Sequence, residues 1–225
     1  MRQRKIKNLE EKMQELQRYI IEDGTEHKGN WQSFFGNKSD IFLEIGAGKG
    51  QFLIRQAQNH PDRNYIGIEG QTSVVFRALQ KLAEQDEVAS QSGQESAGNI
   101  MFIRKFVNSL CEIFEDEEVA GIYLNFSDPW PKKGHAHRRL TYRNRLSEYH
   151  KILKEGGTIE FKTDNDDLFD FTEEEVSEVK RLFKIDEVTR DLHASDFVAK
   201  NIETEYEEKF KSLGKNINYM RLVKL

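Results

Sequence analysis

Residues 41–69 read IFLEIGAGKGQFLIRQAQNHPDRNYIGIE, and the fold is decided there. Ile41–Ile45 is a short apolar run of β-prone residues, which predicts a strand. It runs into Gly46-Ala47-Gly48-Lys49-Gly50, a turn whose alternating glycines tolerate positive φ and let a ligand approach the backbone. A helix follows with Phe52, Leu53 and Ala57 on one side, and residues 65–68 predict a second strand that stops at Glu69. Strand, turn, helix and strand in one short span make a βαβ unit, whose two strands run parallel.

The same alternation continues outward in both directions. Residues 72–85 predict a helix through Val74, Val75, Ala78, Leu79 and Leu82. Residues 86–99 are small and polar and predict an exposed loop. Ile100–Ile103 predicts a third strand, residues 110–114 a short helix and residues 120–126 a fourth strand. A helix over 142–153 stops at Gly156-Gly157, and residues 158–163 form the fifth strand. A helix over 168–182, a strand over 184–189, a helix over 204–213 closed by Gly214 and a last strand over 217–223 complete the chain. Such alternation implies an α/β fold with a mostly parallel sheet, helices on both faces and one domain. Upstream, Ile6, Leu9, Met13, Leu16 and Ile20 are spaced as one face of an amphipathic helix over 1–21. That helix lies on its own domain or on a second copy, so a monomer and a homodimer both stay open. Arg2, Arg4, Lys5 and Lys7 make its start either a basic arm for phosphate or a solvated helix end.

Composition sets the outer bounds. No apolar run reaches the roughly 18 residues of a membrane span, and the charged N-terminus lacks the apolar core of a secretory signal. The single cysteine, Cys111, cannot form an intrachain disulfide, which fits a reducing cytoplasm. A formal net charge of -5 argues against indiscriminate nucleic-acid binding. It leaves room for a local basic patch, because salt confines each field to about 10 Å.

One such patch exists. Residues 122–145 read IYLNFSDPWPKKGHAHRRLTYRNR. A strand leads to Ser127-Asp128-Pro129, and the proline pushes Asp128 onto an extended exit from the sheet. Trp130 and then Lys132, Lys133, Arg138, Arg139, Arg143 and Arg145 follow, with no acid among them. A lone carboxylate, a ring and a cationic run suit a polyanion whose base is offered to a small pocket. A proline turn followed by a solvated basic helix is the plainer alternative. His135 and His137 do not predict a metal site, since no further ligand stands at the required spacing and the neighbouring cations repel one.

In parallel sheets ligands bind at the carboxyl ends of the strands. The glycine turn, Glu69, Asp128 and Asp164 all follow strand ends and are expected to share one edge. The turn is neither GxGxxG nor a P-loop. Glu44 before it suits a ligand with a cationic ammonium, and Glu69 can accept both hydroxyls of a ribose. Ammonium, ribose and no phosphate describe S-adenosylmethionine held by Glu44, Gly46, Gly48 and Glu69. A nicotinamide cofactor remains the competing reading of the turn alone.

EIGAGKGQF, YIGIE, IYLNFSDPWPKK with HRRLT, FKTDN and TEYEEKF occur in this order. Together they resemble the bacterial tRNA (guanine-N(7)-)-methyltransferase family, the TrmB type, over about residues 28–217. The resemblance implies the Rossmann-like class I methyltransferase fold, with a seven-stranded sheet whose last strand is antiparallel. It also implies a division into an N-terminal helix and arm (1–27) and a methyltransferase domain (28–225). The implied reaction moves a methyl group from S-adenosylmethionine to N(7) of a variable-loop guanine of tRNA, with no metal. Glu44, Glu69 and Asp128 would contact the donor. Lys132, Asp164, Thr204, Glu205, Tyr206 and Glu207 would contact the substrate, and Gly134, His135, Ala136, His137, Arg138 and Arg139 the RNA. Asp128 is the catalytic candidate. One position departs from the family pattern: where an acid is usual beside the adenine this chain has Phe106, and Asn108 is the nearest polar group. On local grounds alone, Asp164 is equally a helix cap, and Thr204 with Glu207 equally a capping box.

Overall fold

The computed structural model describes residues 6–93, 98–106 and 108–225. Arg2, Arg4 and Lys5 of the expected basic arm lie outside these, as do part of the expected 86–99 loop and Val107. The chain divides into two compact units, Met1–Asn108 and Ser109–Leu225.

In chain order the first unit contains α1 (Leu9–Gln14), β1 (Ile20–Ile21), α2 (Trp31–Phe34), β2 (Ile41–Ile45), α3 (Gln51–Asn59), β3 (Asn64–Ile68), α4 (Thr72–Gln91) and β4 (Ile100–Ile103). Its strands lie in the order β1-β4-β3-β2 and all pair in parallel, with Ile45 opposite Ile68 and Tyr65 opposite Ile100. Every residue of β3 is buried, as expected of a parallel strand covered on both faces. Gly50, which precedes α3, has φ +72, and a Cβ there would stand 2.7 Å from the Phe102 ring and 2.8 Å from Ala78. A side chain at 50 would therefore push the start of α3 off the sheet.

Two expectations for this unit are corrected. The N-terminal segment is not one helix over 1–21. Helix α1 stops at Gln14, and Ile20–Ile21 add an edge strand to β4, with Ile20 opposite Phe102 and Ile21 opposite Ile103. Tyr19 donates to Asp86 at 2.6 Å, and Glu22 and Asp23 each meet a cation, Arg104 and Lys105, at 2.7 Å. Two adjacent β-branched residues gain more from an open sheet edge than from a helix. This accounts for eight strands among the described residues rather than seven, four in each unit. Helix α4 also continues to Gln91 instead of ending at 85, because Asp86 faces inward as the acceptor for Tyr19.

The second unit contains β5 (Val119–Asn125), α5 (Arg143–Ile152), β6 (Leu153–Thr163), α6 (Asp166–Glu178), β7 (Phe183–Thr189), α7 (Glu205–Ser212) and β8 (Asn218–Lys224). The strand order is β5-β6-β8-β7. Strands β5 and β6 pair in parallel, while β8 runs antiparallel to both β6 and β7. The fold class is therefore the expected α/β one, with the last strand antiparallel. No helix among the described residues is long and apolar enough to cross a membrane.

Candidate active site

The first unit presents the glycine turn and Glu69 together. Strands β2 and β3 are parallel neighbours, so the residues after Ile45 and Ile68 leave the sheet at the same end. Gly46 and Gly48 have φ +76 and +56, with no side chain near the position of a Cβ on Gly46. The turn is tied down by Gly46 and Ala47, whose N–H groups donate to the Ile68 carbonyl at 2.8 and 3.0 Å. The Glu69 carboxylate reaches across: Gly48 N–H donates to one oxygen at 3.2 Å, and Gln71 N–H to the other at 2.8 Å. These two N–H groups hold the carboxylate over the turn. Glu44, buried to 3 % exposure, stands one residue before the last of β2. After β4 the ring of Phe106 lies on Gly70, the residue following Glu69, and Asn108 is exposed two positions further.

The second unit presents two carboxylates. Asn125 of β5 is opposite Lys162 of β6, and Phe126 N–H donates to the Lys162 carbonyl at 2.9 Å. Asp128 and Asp164 therefore leave parallel neighbours at the same end. Asp128 is exposed. Phe126 and Trp130, two residues either side of it, have φ 50 and 41. Left-handed backbone costs a non-glycine residue about 1–2 kcal/mol, so this turn is held against strain. Asp164 accepts from Lys215 at 2.9 Å. It does not cap α6, because Asn165 takes that role by accepting from Leu168 N–H at 2.8 Å.

The basic stretch is a 3-10 turn over Lys133–Arg138, not an α-helix. Lys132, Lys133, Gly134, His137 and Arg138 are exposed, and His135 and Ala136 are half-buried. The Arg138 guanidinium lies 5.0 Å from the Trp130 ring centroid, and the His135 ring meets that ring edge-on at 5.7 Å. Arg139 turns inward instead, donating to the Pro129 and Trp130 carbonyls.

The TEYE segment splits by burial. Thr204 and Glu207 form the capping box: Glu207 N–H donates to Thr204 Oγ1 at 3.0 Å, and Thr204 N–H to Glu207 Oε2 at 3.3 Å. Glu207 is fully buried and also receives Lys162 Nζ at 3.2 Å. Lys162 Nζ donates to the Ile202 carbonyl at 3.0 Å and to Asn201, which in turn donates to Glu207. His193 Nε2 lies 3.4 Å from Glu207 Oε1. Glu205 is half-buried, while Tyr206 is 59 % exposed and stacks on Phe126 with ring centroids 6.1 Å apart. Sequence reasoning passed over Lys162, Asn201 and His193. The one available signal was a lysine inside the buried end of a strand, where a cation requires a partner.

A parallel βαβ unit whose first turn is glycine-rich and bridged by the acid after its second strand, with an antiparallel last strand, defines a Rossmann-like methyltransferase. Solved structures agree on the fold. An antibiotic-related methyltransferase matches with TM-score 0.59 at 18% identity, over 88% of this chain and 92% of that one. The 16S rRNA methyltransferase KamB matches with TM-score 0.58 at 10% identity, over 87% and 92%. A family model described as putative methyltransferase matches residues 38–220. Relatives are closer: the tRNA (guanine-N(7)-)-methyltransferase of Limosilactobacillus reuteri is 46% identical over 198 residues, covering 88% of this chain and 87% of that protein. Those of Bacillus cytotoxicus and Brevibacillus brevis are 43% and 40% identical over 92% and 96% of this chain, and 89% and 95% of theirs. The chain belongs to the tRNA (guanine-N(7)-)-methyltransferase family.

Proposed function

We propose that this protein transfers a methyl group from S-adenosylmethionine to N(7) of a variable-loop guanine of tRNA, in the cytoplasm, through the methyltransferase domain of residues 28–225. Residues 1–27 precede that domain and lend its sheet the edge strand Ile20–Ile21. The observation that carries this reading is the Glu69 carboxylate bridging the glycine turn in a chain up to 46% identical to tRNA (guanine-N(7)-)-methyltransferases. The relatives, not the turn, disfavour a nicotinamide enzyme, because an acid at this position serves a ribose in either cofactor.

The donor fits the residues present. Buried Glu44 supplies negative charge for the ammonium, Gly46 and Gly48 leave room at the backbone, and Glu69 accepts from the ribose hydroxyls. Asn108 contacts the adenine. When bound, S-adenosylmethionine supplies an electrophilic methyl carbon. N(7) of guanine is already an acceptor with a lone pair, so no residue needs to act as a base toward it. The chain's contribution is alignment, with the reacting atoms held about 3 Å apart in line. Asp128 contacts donor and base and is the catalytic residue. Methylation leaves the guanine ring cationic, and a carboxylate accepting from the amide edge favours that charge. Asp128 and Asp164 serve there, with Lys132, Glu205 and Tyr206 around the base, while buried Thr204 and Glu207 hold the start of the helix that carries the last two. Gly134, His135, Ala136, His137, Arg138 and Arg139 form the RNA-facing stretch.

Incubation of the protein with labelled S-adenosylmethionine and unmodified tRNA, followed by mapping of the modified base, tests the reading. The expected product is 7-methylguanine in the variable loop, absent with Asp128→Ala. Calorimetry should show binding of S-adenosylmethionine and none of NAD. Binding of NAD alone would replace this function with a hydride-transfer one, and an active Asp128→Ala would remove Asp128 from the centre of the mechanism.

A further inference from the structure

Arg139 lies in the stretch that faces RNA, yet its guanidinium is spent on its own chain. Nε donates to the Pro129 carbonyl at 2.9 Å, and Nη2 to the Trp130 carbonyl at 3.1 Å. Those carbonyls belong to the two residues directly after Asp128. Its central carbon sits 4.1 Å from the centroid of the Phe171 ring on α6, which fixes the plane of the group. The loop it grips is the one bracketed by left-handed Phe126 and Trp130. Such backbone persists only where the surroundings over-determine it. A planar fork holds two successive carbonyls with donors in fixed directions, whereas the rotating donors of a lysine ammonium fix no plane. Arg138, one residue earlier, is exposed and lies over the outer Trp130 ring.

We propose that Arg139 is a positioning residue for Asp128: its guanidinium clamps the Pro129 and Trp130 carbonyls and so sets the strained turn that presents the Asp128 carboxylate, while Arg138 meets phosphate. This rests on the catalytic role given to Asp128 above. Charge and fork are separable by substitution. Arg139→Lys keeps the charge and loses the fork, and Arg139→Gln loses both.

The experiment measures kcat, KM for tRNA and the salt dependence of tRNA affinity for wild type, Arg139→Lys, Arg139→Gln and Arg138→Gln, with melting curves to confirm folding. Arg139→Lys is expected to lower kcat on the order of 10- to 100-fold, the cost of a displaced catalytic group, with little change in KM. Arg139→Gln should keep the wild-type salt slope, whereas Arg138→Gln should reduce it by about 1, as loss of one phosphate contact does. Wild-type kcat in Arg139→Lys would overturn the proposal. So would a slope reduced by Arg139→Gln as much as by Arg138→Gln. If Arg139→Gln fails to fold, kcat of Arg139→Lys decides alone. If neither variant folds, Arg139 is an element of the core and the proposal falls. A wild-type protein that methylates no tRNA overturns the function itself. An active wild type, an inactive Asp128→Ala and a fully active Arg139→Lys overturn only the role of Arg139.

Discussion

Position 106 holds a phenylalanine where the resemblance led one to expect an acid, and single atoms explain how the fold accommodates the ring. The Phe106 ring carbons lie 2.3–2.4 Å from where a Cβ on residue 70 would stand, so the ring occupies the room that Gly70 leaves. Phe106 nevertheless stays 72 % exposed, one residue along from Glu69 in its contact with Gly70. A ring cannot accept from an adenine amino group, but it can stack, and base–aromatic stacking is worth about 1–3 kcal/mol. Phe106→Ala should therefore weaken binding of S-adenosylhomocysteine by about tenfold or more in calorimetry. Asn108→Ala should weaken it as well, through the adenine amino group, and wild-type affinity in Phe106→Ala would show that the ring does not stack. At this scale the sequence placed Glu44, Glu69, Asp128 and Asp164 at strand ends, and the strand pairings put them there. It could not show that Arg139 turns inward or that Glu207 is buried, since neither spacing nor charge says which way a side chain points.

Elements are joined by pairs that are distant in sequence, and the clearest is Lys162 of β6 with Glu207 of α7. Both are almost fully buried, and the pair fixes the start of α7, which carries Glu205 and exposed Tyr206. Removing one partner from a buried pair typically costs about 3–5 kcal/mol, because the other charge is left stranded. Lys162→Met should destabilise the protein by about that amount in denaturant melts, and Lys162→Met with Glu207→Leu should recover most of it. A double variant no more stable than the single would show that the pair is not the link. Strand and helix types were legible in the periodicity. The N-terminal segment was not: Ile6, Leu9, Met13, Leu16 and Ile20 have helical spacing, yet an open edge beside β4 claims Ile20 and Ile21 as a strand. Residues 86–91 were hidden for a similar reason, because the partner of Asp86 is Tyr19, far upstream.

For the whole molecule, a net charge of -5 sits with a cluster of exposed cations at Lys132, Lys133 and Arg138. Affinity for tRNA should fall with salt at a slope of about 2–3, one contact for each exposed cation, since each released counterion contributes about 0.9. Filter binding across a salt series measures it. A slope near zero would place the RNA on another surface, and one far above three would require cations outside this loop. By itself the sequence determined the α/β class, the family and the set of acids at strand ends. These follow from local periodicity and from motifs contiguous in the chain. Only the tertiary structure decided what each side chain meets: Asn165 caps α6 while Asp164 takes Lys215, Thr204 and Glu207 hold α7 while Tyr206 faces out, and Arg139 grips the Asp128 loop. The physical reason is that burial and hydrogen bonding are settled by partners brought together across the fold, and a linear order of residues carries no record of who those partners are.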